Sequence, residues 1–205
     1  MSCSLNAVDS AEGFMRTYFS GSLDRGGEPY YCPNGWRRYA IDVGKTGSEF
    51  EAAFSDWHVA YHGTEGHIAM AILLNGIRAS GQGCHIVKGE GAVYLSPSIE
   101  YCGHPRYAEA WKVKSKYVQM VLQVRVDRKL VFDKKQETLL RRDAKDVLID
   151  KNFKDNMQLE WVIRWPPGDA LKNKNRILVY GIMLRVTNEY PGKLPQNGWW
   201  EKTGP

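Results

Sequence analysis

Three short stretches carry the residues best suited to chemistry. In "YHGT" a histidine, His62, ends an apolar alternation of Trp57, Val59 and Tyr61, and Gly63 and Thr64 follow at once. A glycine at such a place lets the backbone approach a ligand that any Cβ would obstruct. "VYLSPSIEY" sets Tyr94 in a short apolar run, with Ser98 and Tyr101 downstream. Aromatic faces suit a flat ring, and they suit a protein core equally well. Ser98, just after Pro97, also has the chemistry of a helix N-cap. "QLEW" holds Glu160 between Leu159 and Trp161. A carboxylate buried unpaired in an apolar strand is expensive, so this one is expected at an edge or in a cleft.

Other pairings are weaker. His58 and His62 would share a face on a helix and suggest zinc. The alternation around them favours a strand, and no third ligand has suitable spacing, so no metal is expected. Cys84 and Cys102 lie near His85 and His104, but closeness along the chain is not the geometry a thiol nucleophile needs.

The order His-Gly-Thr, strand Tyr leading into Ser-x-x-Tyr, then Glu resembles the ADP-ribosyltransferase superfamily. The likeness is to its poly(ADP-ribose) polymerase and diphtheria-toxin branch, which carries a His-Tyr-Glu triad. It spans roughly residues 57 to 185 and lies in motif order and spacing. The resemblance implies an α+β fold with a mainly antiparallel, split β-sheet core, flanking helices and an NAD cleft. It implies NAD as substrate and catalysis by Glu160, His62 and Tyr94. His62 would donate to the adenosine ribose, with Thr64 beside it in the cleft. Gly63 would offer its N–H and C=O to the nicotinamide amide, and Ser98 its hydroxyl. Tyr101 would stack on the nicotinamide ring, with Tyr94 closing the other side. Glu160 would bind the ribose 2′-hydroxyl and stabilise an oxocarbenium-like transition state.

Two features depart from the polymerase pattern. The stretch from Tyr94 to Ser98 is shorter, which implies a tighter loop around the ring. Gln158 stands two residues before Glu160, where the toxin-like branch selects its acceptor. On a strand the two would share a face. The expected activity is transfer of single ADP-ribose units to a protein or nucleic-acid acceptor. Alternatives are a non-catalytic module of the same fold that binds NAD, ADP-ribose or a partner, and an RNA 2′-phosphotransferase-like NAD enzyme, against which Tyr94 counts.

The elements that must position these residues are legible as patterns. "WHVAYHG" reads as a strand and "EGHIAMAILLNGI" as a helix buried through Ile68, Ala69, Ile72, Leu73 and Ile77, with Gly76 as its stop. "AVYLSP" is a short strand closed by Pro97, and residues 98–111 a helix or broken helix. "YVQMVLQVRVD" alternates as a half-buried strand. Helical material is expected from Gln136 to Leu148, and "MQLEWVIRW" and "RILVYGIMLRVT" read as strands. Residues 81–91 read as a glycine-rich loop.

The 205 residues divide into an N-terminal extension (1–50) packed on the body through its aromatics, a catalytic domain (51–190) and an irregular tail (191–205) clamped by Trp199 and Trp200. Hydrophobic residues make up 43%, enough for a sizeable core. No apolar run approaches the roughly 18 residues of a membrane span, and the N-terminus lacks the pattern of a signal peptide. Four cysteines without a C-x-x-C spacing read as free thiols. An intracellular protein, cytoplasmic or nuclear, is expected. The net charge of +5 permits an acidic or phosphate-bearing partner. The basic residues between Lys112 and Lys154 are interspersed with acids and read as a solvated face.

Overall fold

A computed structural model of the chain describes residues 23–79, 91–135, 138, 147–165 and 175–202. The two longest alternating runs become its longest strands, β7 (Lys116–Val126) and β10 (Ile177–Thr187), paired antiparallel along their length. Outside β10 lies β3 (Arg37–Ala40), and outside β7 lies β4 (His58–Gly63). The short β6 (Trp111–Val113) pairs with the start of β7 and completes a five-stranded sheet. A second sheet has the order β5 (Gly91–Leu95), β9 (Trp161–Trp165), β8 (Asp133–Lys134), all antiparallel. The sheets meet where Tyr61 of β4 and Ser96, just past β5, exchange backbone hydrogen bonds of 2.7 and 3.0 Å. A small hairpin of β1 (Leu23–Arg25) and β2 (Glu28–Tyr30) forms a sheet of its own and packs on β4 through Tyr30. The described chain is therefore α+β with antiparallel sheets and few helices.

Among the described residues, three α-helices flank the sheets. α1 (Gly47–Phe54) opens on a reciprocal cap between Thr46 and Glu49. α2 (Gly66–Asn75) follows β4 and closes at Gly76, whose φ of +78° suits glycine. Ala69 and Ile72 of α2 join Ala60, Leu122, Val124, Val93, Leu95, Trp161 and Ile163 in the main core. Ile68, expected on that face, is 42% exposed because the helix buries a narrower stripe than its apolar residues cover. α3 (Ile99–Cys102) is one turn long, so the broken helix predicted after Pro97 is mostly turns.

Several expectations need correction. β7 is not half-buried: from Val121 to Val126 both faces are covered. Its second face carries Gln123, whose Oε1 accepts from Arg38 Nε (2.8 Å), and Arg125, whose Nη1 donates to Trp57 O (3.1 Å) while its Nε has no hydrogen-bond partner among the described residues. Paired polar groups can be buried there without the desolvation cost that makes unpaired ones rare. The N-terminal segment does more than pack on the body. β3 is an edge strand of the main sheet, and Trp36 is buried with its ring under the Arg185 guanidinium at 4.4 Å. The tail forms three 3₁₀ turns that put Trp199 and Trp200 into a core with Tyr101, Phe153 and Leu159. Of the glycine-rich loop expected over 81–91, residues 81–90, with Cys84 and His85, lie outside the described residues, as does most of the helix expected over 136–148, while Gly91 opens β5.

Candidate active site

The third motif does not begin as a strand. Asp155 Oδ1 accepts from Met157 N at 2.8 Å, and Asn156 bonds both Ile149 N and Val147 O. These bonds hold Asn156–Gln158 as a 3₁₀ turn, and β9 starts only at Trp161. Gln158 is therefore half-exposed on a turn, and the shared-face argument linking it to Glu160 does not apply. Lys135 N–H donates to Glu160 O at 3.0 Å, which extends the β8–β9 ladder by one residue to Glu160. Alternation then puts Glu160 and Val162 on the face opposite the core-facing Trp161 and Ile163. Tyr94 pairs with Val162 while its neighbours Val93 and Leu95 enter the core, so Tyr94 shares the face of Glu160.

Glu160 is 1% exposed and heavily hydrogen-bonded. Tyr101 Oη donates to its Oε2 at 2.6 Å. Thr138 adds its backbone N–H, at 3.2 Å to Oε1, and its hydroxyl to Oε2. Burial, with Tyr107 and Glu160 beside it, holds the Tyr101 phenol well above the usual tyrosine range, so Tyr101 stays a donor. Tyr107 Oη lies 2.9 Å from Tyr101 Oη and also bonds the Thr138 hydroxyl. Two hydroxyls thus bond the carboxylate, and a third, on Tyr107, bonds both of them. Neither Tyr107 nor Thr138 stands out in the sequence: Tyr107 sits in an irregular loop, and Thr138 in a stretch read as helix.

His62 reaches this face through main chain. Its Nδ1 lies 2.9 Å from Tyr94 O. A carbonyl only accepts, so Nδ1 carries the proton. Burial lowers the His62 pKa, against the pull of the Tyr94 carbonyl, and keeps the ring neutral near pH 7. Nε2 is then an acceptor, which reverses the donation expected from it. Thr64, just past the end of β4, is buried.

Three other predicted ligand groups are engaged inside the protein. Ser98 caps α3 by accepting from Tyr101 N at 3.2 Å, and its hydroxyl donates to Asp150 Oδ2 at 2.6 Å. The hydroxyl proton expected for nicotinamide is thus committed to Asp150. Tyr61 bonds Ser96 on the side away from β7, and Gly63, two residues on, turns its peptide groups the same way. There the Cys102 thiol donates to Tyr61 O at 3.4 Å. A Cβ on residue 63 would lie 2.5 Å from Cys102 O and 2.6 Å from Tyr107 Cβ. Glycine is needed there for protein packing, whatever ligand approaches. Tyr101, expected as the stacking ring, is 3% exposed.

The Cys102 thiol is pushed up to about 12 by burial, despite the backbone groups around it, and is no nucleophile. His58 packs edge-on to Phe132 and Trp161. Among the described residues no three or more His, Cys, Asp or Glu side chains gather as metal ligands. No described helix is long and apolar enough to cross a membrane. A depression of about 310 Å³ on the β3–β10 edge, lined by Trp36, Arg37, Tyr39 and Leu184 among others, contains none of the predicted site residues. In comparisons with known proteins, no family model and no curated protein matches the chain.

Proposed function

We propose that the protein is an NAD-dependent ADP-ribosyltransferase that passes single ADP-ribose units to a protein or nucleic-acid acceptor. The observation that carries this reading is the Glu160 carboxylate, oriented by Tyr101 and Thr138 on the face it shares with Tyr94. In this mechanism the bond between the ribose C1′ and nicotinamide breaks. Nicotinamide leaves neutral with the bonding electron pair, and positive charge grows on the ribose. Glu160 accepts from the ribose 2′-hydroxyl and stabilises that charge in a site already organised around it. The neutral His62 accepts from a hydroxyl of the adenosine ribose through Nε2. The acceptor then attacks C1′ and gives its proton to solvent.

A second reading has an observation of its own. The Ser98 hydroxyl is committed to Asp150, which favours a module of the same fold that binds NAD or ADP-ribose without turnover. Incubation with nicotinamide-labelled NAD separates the two. Release of label from the wild-type chain, reduced about 100- to 1000-fold in Glu160→Gln with NAD binding retained, is the expected result. Saturable binding without release supports the module, and full release by Glu160→Gln removes Glu160 from the chemistry.

A further inference from the structure

The main sheet is covered over only part of the face that carries Leu122 and Val124. Toward β4 that face is closed by α2 and the second sheet. Away from β4 it continues through side chains placed by strand register. Leu122 and Tyr39 both pair with Ile182, Arg37 and Met120 with Leu184, and Trp111 and Val186 with Val118. Directly opposed residues share a face, as do alternate residues along a strand, so these groups form one platform across β3, β10, β7 and β6. Its middle is aliphatic and open, with Val186 55% exposed, and Tyr39 stands at one edge, 46% exposed. Trp111 stands at the other, half-buried against Gly66 of α2 with its indole donating to Glu109 at 2.7 Å. Strand spacing and rise set the two rings about 20 Å apart. The depression of the β3–β10 edge is lined by residues of this platform, Arg37, Tyr39, Leu184 and Val186 among them.

Charge complementarity narrows what fits there. The Arg37 guanidinium lies 5.8 Å from the Tyr39 ring centroid. Lys116 pairs with Val113 on the platform face, and Lys114 sits in the turn between β6 and β7. None of these three cations forms an ion pair among the described residues. Unpaired cations beside open rings suit single-stranded nucleic acid, whose phosphates meet the charges and whose unstacked bases lie on the rings. A duplex hides its base faces, and an acidic peptide leaves the rings without a partner.

We propose that this platform binds single-stranded nucleic acid, with Tyr39 and Trp111 stacking on bases and Arg37, Lys114 and Lys116 meeting phosphates. The site is separate from Glu160, and its test uses no NAD, so a failure of the transferase reading leaves it standing. Fluorescence anisotropy of the full chain with a labelled oligouridylate of about 12 nucleotides, followed against salt, is the test. Tyr39→Leu weakens binding about tenfold, and Tyr39→Phe retains it. Arg37→Gln and Lys116→Gln each weaken binding and lower the slope of log affinity against log salt by about 0.7. Lys129→Gln removes the same charge beyond the far end of β7 and changes neither affinity nor slope. No saturable binding by the wild type, wild-type affinity in Tyr39→Leu, or equal losses in Lys129→Gln and Arg37→Gln overturns the proposal. Displacement by a polyglutamate peptide as readily as by unlabelled oligouridylate overturns it in favour of an acidic protein partner.

Discussion

At the scale of single residues, Gly63 shows how one position answers to two demands. Cys102 O and Tyr107 Cβ fill the space a side chain would take. Both belong to the segment that carries Tyr101, so Gly63 sets how closely the end of β4 approaches the second motif. Gly63→Ala must push that segment away. It is expected to destabilise the fold by about 1–3 kcal/mol, the usual range for overpacking, read as a lower midpoint in urea unfolding. An unchanged midpoint would show that the segment yields without strain. Glu160 illustrates a different constraint. Its burial is tolerable because hydroxyl and backbone donors meet its oxygens.

At the scale of elements, α3 and the turns after it are held almost wholly by tertiary bonds. A single helical turn has no stability of its own. Ser98 and Asp150 fix its start. The buried Arg185 reaches Glu100 at 3.1 Å and Gln119 at 2.6 Å, and Gln119 in turn donates to Gly103 O and Ala108 O, each at 2.9 Å. His104, fully buried at the centre of these turns, stacks near Trp199 and accepts from Arg106 N at 3.1 Å. Burial, and secondarily the Arg106 charge, push its pKa from 6.5 down to about 3. The unfolded chain therefore takes up a proton below pH 6.5 that the folded chain refuses. This share of stability is complete above that pH and is lost as pH falls toward about 3, by about 1.4 kcal/mol per unit. Urea unfolding of wild type and His104→Gln at about pH 7 and pH 5 isolates it. The pH-dependent loss in wild type should exceed that in the variant by about 2 kcal/mol, and parallel losses would refute the assignment.

At the scale of the whole molecule, the chain's end closes over its middle. Trp199 and Trp200 are buried beside Tyr101, Phe153 and Leu159, so the tail is part of the packing that supports the Glu160 partners. Trp199→Ala is expected to cost about 3–5 kcal/mol, as for other buried aromatics. The loss should appear in one cooperative thermal transition, whereas a separate early transition would mark the tail as an independent unit. The same holds at the other end, where β3 completes the main sheet and Trp36 donates to Glu100 at 3.3 Å.

Alternation and glycine punctuation were enough to predict β4, α2, β5, β7 and β10, because period-two and helical patterns record which face of an element is buried. The same patterns singled out His62, Tyr94, Tyr101 and Glu160, the polar or aromatic groups that interrupt them. They did not reveal which groups would meet. Tyr107 and Thr138 come to Glu160 from stretches read as helical, with no sign of this contact in either, and Ser98 finds Asp150 across 52 residues. Partners of that kind are selected by chain crossing and by the need to satisfy buried donors and acceptors, and only the folded arrangement decides them.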